Sequence, residues 1–163
     1  MLNLAVRLRP IWPLMTLFGS GALLAGAHAF QRFGGLQPCP LCLDQRNWHW
    51  AVVAVSLLAF IAVRFKPSLA RWAAALVGVV LLGAAGMAFY HVAVEQHWVI
   101  ARCDARIDLD NLGFEGAGSF SAPKCDEIAW SMFGVSMAGY NALISLAMAL
   151  ASFAVAVPPE RKP

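Results

Sequence analysis

Four cysteines are the residues of this chain best suited to covalent chemistry, and two stand close together in Pro38-Cys39-Pro40-Leu41-Cys42, with Arg46 four residues after the second. The pair lies where one long apolar segment ends and another is about to begin. That places a potential redox dithiol at a membrane surface. There it can exchange electrons with water-soluble protein thiols on one side and a lipid-soluble carrier on the other.

Pro40 and Leu41 keep the ring small and put Cys42 near the start of a helix, where unpaired backbone N–H groups favour an anion. In that helix Arg46 lies one turn on, on the same face. Both effects stabilise a Cys42 thiolate, the nucleophilic form. A fixed cation beside it also suits a quinone, which gains negative charge on reduction and can be hydrogen-bonded by a guanidinium; the plainer reading is an arginine that snorkels to the headgroups. His91, near the outer end of the third apolar stretch, is a second candidate to lend a proton or hydrogen bond to the same ring, against simple packing. Trp48, His49 and Trp50 read as interfacial belt residues.

A Cys-x-x-Cys pair is also half of a zinc site. The other half should be a second close pair, whereas Cys103 and Cys125 are some twenty residues apart, so no metal is expected. Two structural disulfides in a non-enzymatic membrane scaffold are the other reading of the four cysteines, with a metal-binding membrane protein as a third.

The elements that must position these residues are helices in a bilayer. Of 163 residues, 60% are hydrophobic and only 13% charged, against about 25% charged in soluble domains, and the mean hydropathy is +0.66. A net charge of +3 with no basic run interleaved with aromatics excludes a nucleic-acid partner. A spanning helix needs roughly 20 mostly apolar residues, and residues 11–30, 48–63, 69–94 and 135–157 qualify. The expectation is an all-α, polytopic protein over residues 1–163, a single membrane domain built as a four-transmembrane-helix bundle with outer loops at 31–47 and 95–134. Pro67 is expected to end the second helix, with Ser68 a candidate N-cap for the third, making a tight hairpin. Ala22 with Gly26, and Ala74 with Gly78, have the spacing that lets membrane helices approach closely. Arg7 and Arg9 followed by an apolar stretch ending in Ala27-His28-Ala29 resemble a cleaved signal, but the stretch exceeds the roughly 7 to 15 residues of a signal core and reads as a retained span.

Orientation follows from lysine and arginine, which concentrate in short cytoplasmic loops. Arg7, Arg9, Arg64, Lys66, Arg71, Arg161 and Lys162 fall on one side of a four-span protein, so both termini are expected in the cytoplasm. Arg32, Arg46, Arg102, Arg106 and Lys124 are spread over the longer outer loops. Span parity then puts Cys39, Cys42, Cys103 and Cys125 in the same outer, oxidising compartment. The loop around Asn111–Gly118 reads as mobile, able to carry its cysteines between a soluble partner and the membrane-proximal pair. Leu109, Leu112, Phe114 and Phe120 are candidates to rest on the bilayer, and Trp130 is a natural interface anchor.

Taken together, four spans, Cys39-Pro40-Leu41-Cys42 with Arg46, the wider Cys103 and Cys125 pair, and Cys125-x-Glu127-x-x-Trp130 before the last span resemble the DsbB family of bacterial disulfide bond formation proteins over nearly the whole chain. The order distinguishes it from the vitamin K epoxide reductase relatives, in which the wide pair comes first. The resemblance implies a bacterial inner-membrane quinone reductase that reoxidises a periplasmic DsbA-like thioredoxin-fold protein, with Cys39, Cys42, Cys103 and Cys125 catalytic. Ubiquinone or menaquinone, not covalently bound, is implied as the acceptor from the membrane pool, held by Arg46, Cys42 and His91. It further implies that the partner attacks Cys103 of a Cys103–Cys125 disulfide, and that electrons reach Cys39 and Cys42 through a transient Cys39–Cys125 bond. Gln45 stands where some members carry an acid, and no role is assigned to it. The segment between Cys103 and Cys125 is shorter than in the best-known member, leaving a surface helix there open.

Overall fold

A computed structural model describes residues 6–100, 103, 106–108, 119–121 and 123–157. The helices are α1 (Trp12–Phe33), α2 (Pro40–Phe65), α3 (Ala70–Glu95) and α4 (Met137–Ala156), with a 3-10 turn at Pro67–Leu69 between α2 and α3. All four are long and apolar enough to cross a membrane. The all-α, four-helix membrane architecture expected from hydropathy is the architecture observed. Two short antiparallel ribbons accompany it, β1 (Arg106–Asp108) with β2 (Ser119–Ser121) and β3 (Ser131–Met132) with β4 (Val135–Ser136). Leu109, Leu112, Phe114 and the Asn111–Gly118 stretch lie outside the described residues, and Phe120 is described only as part of β2.

The helix ends follow local chemistry. Gly34 closes α1, its N–H donating to the Phe30 carbonyl at 3.0 Å. Cys39 is the N-cap of α2 and Pro40 its first residue, a position where the missing proline N–H is no loss. Consequently α2 begins at Pro40 rather than at 48, where its apolar run begins. The extra turns hold the polar stretch Asp44–Asn47, whose Gln45 and Arg46 find partners inside the bundle. Ser136 caps α4, accepting from the Gly139 N–H at 3.1 Å. Phe133 and Gly134, both in the left-handed region at φ 51° and 78°, make the two-residue turn of the β3–β4 hairpin.

Packing uses small residues. Ala73, Ala74, Val77 and Leu81 of α3 are buried, together with Val52, Ala59 and Val63 of α2 and Ala149 of α4. A Cβ at Gly78 would sit 3.1 Å from Ser152 Cβ and from the Phe153 ring, so the Ala74/Gly78 face does bring α3 against α4. The other candidate pair does not act this way: Ala22 is exposed, and a Cβ at Gly26 would meet nothing within 4 Å. Large side chains such as Leu58, Trp72, Leu76, Val79 and Leu150 face outward, as lipid contact requires.

Polar links replace the missing hydrophobic drive between helices in lipid. Thr16 Oγ1 and Ser56 Oγ are 3.0 Å apart between α1 and α2, and Trp12 Nε1 donates to Ser152 Oγ at 2.9 Å between α1 and α4. Arg9 donates to the Val155 carbonyl at 2.8 Å and also to that of Val157, tying the start of α1 to the last turn of α4.

Candidate functional site

The motif Cys39-Pro40-Leu41-Cys42 is folded into a helix start. With Cys39 extended at φ −75°, ψ 166°, its Sγ accepts from the Cys42 backbone N–H at 3.2 Å. This brings the two sulfurs to 2.6 Å, with neither bonded elsewhere. Cys39 is 4% exposed. Its hydrogen bond with Cys42, and then its burial, push the Cys39 thiol well above the usual thiol range. Cys42 sits in the first turn of α2, where the free N–H groups favour a negative sulfur.

Cys103 and Cys125 form a disulfide with Cα atoms 5.8 Å apart across 22 residues of sequence. The bond packs directly on the dithiol: Cys39, Leu41, Val94 and Cys125 form one buried cluster, with Cys42, Met87 and Cys103 against it. All four cysteines predicted to share a compartment therefore share a site.

His91 projects from α3 to Cys39, with Nε2 3.6 Å from Sγ. The same nitrogen is 4.0 Å from Glu95 Oε1, and the Cys125 backbone also faces the ring. Nδ1 lies 2.5 Å from Gln45 Nε2. Gln45 Oε1 accepts from Asn141 Nδ2 at 2.5 Å, and Asn141 Oδ1 accepts from His49 Nε2 at 2.7 Å and from Ser145 Oγ at 3.1 Å. A continuous polar chain thus runs from the dithiol across α3 and α2 to α4.

His49 was expected in the interfacial belt with Trp48 and Trp50. It is instead 3% exposed and bonded to Asn141, since Gln45 and His49, one turn apart on α2, share its buried face. Trp50 is 55% exposed and keeps its outward place, while the Trp48 ring lies close over Gly83 of α3. The Trp130 ring packs at a tilt against Phe30 at 5.3 Å and Tyr140 at 6.2 Å, centroid to centroid.

Arg46 reaches back to α1. Nη1 donates to Gln31 Oε1 at 2.6 Å and Nη2 to the Ala27 carbonyl at 3.0 Å. The guanidinium is held at the wall of a cavity of about 450 Å³ that also touches Cys42, His49, His91, Glu95 and Trp130. Apolar residues including Leu23 and Ile144 complete it. Glu95, buried, accepts from Ser136 Oγ at 2.5 Å.

Sequence reasoning missed Gln45, Glu95 and Asn141. Asn141 carried a usable signal, being an amide within an apolar span, where polar groups face the interior and find partners. Glu95 ended the third apolar stretch and was taken as the loop boundary.

This is a multi-pass helical membrane oxidoreductase in which a dithiol capping one helix is packed against a loop disulfide. The model of the family described as Disulfide bond formation protein DsbB matches residues 9–155, and the chain belongs to that family. Curated relatives carry the name Disulfide bond formation protein B. That of Methylococcus capsulatus is 34% identical over 71% of this chain and 74% of its own length. Those of Aromatoleum aromaticum and Xylella fastidiosa are each 31% identical, the first over 84% of this chain and 87% of its own length, the second over 90% and 88%. No solved structure matches the chain. The family assigns the protein a disulfide-forming oxidoreductase role.

Proposed function

We propose that this protein is a protein-dithiol:quinone oxidoreductase of the bacterial inner membrane, a single membrane domain that reoxidises a periplasmic DsbA-like thioredoxin-fold protein. The observation that carries the reading is the packing of both cysteine pairs into one cluster whose inner member, Cys42, borders a cavity walled by Arg46 and His91. A chain of DsbA, DsbB and quinone is what keeps the periplasm oxidising. Arg7, Arg9, Arg64, Lys66 and Arg71 gather at the opposite end of the bundle from the cysteines, which supports a cytoplasmic position for that end.

Catalysis begins with a partner thiolate attacking Cys103 Sγ, which breaks the Cys103–Cys125 bond and releases Cys125 as a thiolate. Cys125 attacks Cys39 of the oxidised inner pair and releases Cys42, which keeps the electron pair. The partner's second thiolate displaces Cys103, which then attacks Cys125, restores the outer disulfide and releases Cys39. The partner leaves oxidised, and the inner pair now holds two electrons.

The residues at the cavity fit a quinone. Arg46 is a fixed cation for a ring oxygen that gains charge. His49 also lines the cavity, and its Nδ1 has no hydrogen-bond partner among the described residues. A quinone bound there supplies the oxidising power, since its conversion to hydroquinone takes up two electrons and two protons. Cys42 gives up the electron pair, while Cys39 loses its proton and closes the disulfide. That proton and one from the outer aqueous face complete the balance.

The test mixes purified protein with reduced partner and ubiquinone and follows quinone reduction. Turnover in wild type and its loss in Cys42→Ser is the expected result; equal turnover in the variant refutes the mechanism.

A further inference from the structure

The amides between the dithiol and α4 have no place in the electron path just described, yet they form its most continuous polar feature. Each link has a defined donor. His49 Nε2–H and the Ser145 hydroxyl donate to Asn141 Oδ1, Asn141 Nδ2–H donates to Gln45 Oε1, and Gln45 Nε2–H donates to His91 Nδ1. A neutral imidazole that accepts at Nδ1 carries its hydrogen on Nε2. The surroundings of Nε2 are compatible with this, because Cys39 Sγ at 3.6 Å and Glu95 Oε1 at 4.0 Å can each accept a hydrogen. Reversing the His91 tautomer would turn both amides and set a lone pair against Cys39.

We propose that Gln45 and Asn141 are positioning residues that hold His91 as its Nε2–H tautomer, so that the ring donates to Cys39 Sγ when Cys39 is released as a thiolate. The proposal rests on the electron relay above and concerns one step of it. In that step Cys103 attacks Cys125, the Cys125–Cys39 bond breaks, and Cys39 departs with the electron pair. Departure is slow for a thiol that holds its proton tightly, and Cys39 is buried beside a second sulfur that opposes a further negative charge. A hydrogen bond from Nε2–H spreads that charge at the moment of release. The opposite tautomer would repel it.

The decisive readout is the nitrogen-15 spectrum of histidine-labelled protein in lipid nanodiscs, with His91 assigned as the signals absent from His91→Gln. Wild type is expected to show a pyridine-type Nδ1 and a pyrrole-type Nε2. Gln45→Glu, whose carboxylate only accepts, should invert the pattern, and Asn141→Leu, which frees the Gln45 amide to turn, should give a mixture of the two. Release of Cys39 is measured without quinone, by adding reduced partner anaerobically and trapping thiols with an alkylating agent. It should slow about tenfold in Gln45→Glu and about threefold in Asn141→Leu, the loss of one hydrogen bond to a charged sulfur.

A wild-type His91 protonated on Nδ1 overturns the proposal, as do variants whose tautomer and release rate match wild type. The wild-type spectrum decides the matter even if a variant fails to fold. Absence of quinone-linked turnover in wild type would instead refute the assigned function while leaving the tautomer measurement, which needs neither partner nor quinone, intact.

Discussion

Substituting Gln31 by leucine probes whether Arg46 acts as a cation fixed in place rather than one that is merely nearby. The guanidinium has two partners on α1, the Gln31 side chain at 2.6 Å and the Ala27 carbonyl at 3.0 Å. Gln31→Leu removes the first and leaves the second. A hydrogen bond to a charged group contributes about 1.5–3 kcal/mol, and arginine has about 2 kcal/mol of rotamer entropy to regain once released. Taking the lower bound, the cavity-facing position loses about 1.5 kcal/mol, or roughly tenfold in kcat/KM for quinone. The loss should fall on kcat as well as KM, because the ring oxygen carries more charge in the transition state than in the bound quinone. Arg46→Leu removes the charge itself and should cost about 3 kcal/mol, on the order of 100-fold, with kcat also reduced. Arg46→Lys should fall between them, since an ammonium cannot reproduce the fork that spans two acceptors. The assay is ubiquinone reduction by wild type and the three variants with saturating reduced partner. An Arg46→Leu enzyme within twofold of wild type would refute the role of the cation. A Gln31→Leu enzyme equal to wild type beside a crippled Arg46→Leu would refute the tether.

Two further outcomes follow from the same geometry. In reduced protein at neutral pH, limiting iodoacetamide should label Cys42 before Cys39, because a thiol pushed up presents less thiolate at any given pH; Cys39 labelling should rise as pH rises, and should accelerate in Cys42→Ser, which removes the largest cause of the shift. Peptide mass spectrometry reads both, and labelling of Cys39 first in wild type would contradict the assignment. Gly78→Leu should lower the thermal midpoint in detergent by the equivalent of about 1–3 kcal/mol of overpacking, since its Cβ alone would stand 3.1 Å from Ser152 and Phe153, whereas Gly86→Leu, whose Cβ meets nothing within 4 Å, should leave it unchanged.

The four helices were legible because membrane spans are written in long apolar runs, and the meeting of the cysteines was legible through parity, which needs only the number of spans. Helix bounds were less so. The apolar run of α2 starts near 48, but its hydrogen bonding starts at Pro40, and a helix can extend into polar sequence when its side chains find partners across the bundle. His49 shows the consequence: beside two tryptophans it has the composition of a belt residue, and only the rotation of α2 reveals that it faces Asn141. Small-residue pairs divided in the same way. Ala74 and Gly78 face a neighbour while Ala22 and Gly26 do not, because spacing places residues on one face without saying what that face meets.

The bonds from Arg9 to the carbonyls of Val155 and Val157 bear on the order of assembly. Spans leave the ribosome in sequence, so Arg9 waits through the insertion of α1, α2 and α3 before its acceptors exist. Until α4 arrives, α3 lacks the wall that Gly78 fits, Trp12 lacks Ser152, and the amide chain stops at Gln45. The last helix to be made is therefore the keystone, and a nascent chain short of α4 can hold its dithiol in the membrane before it has the means to orient His91 beside it.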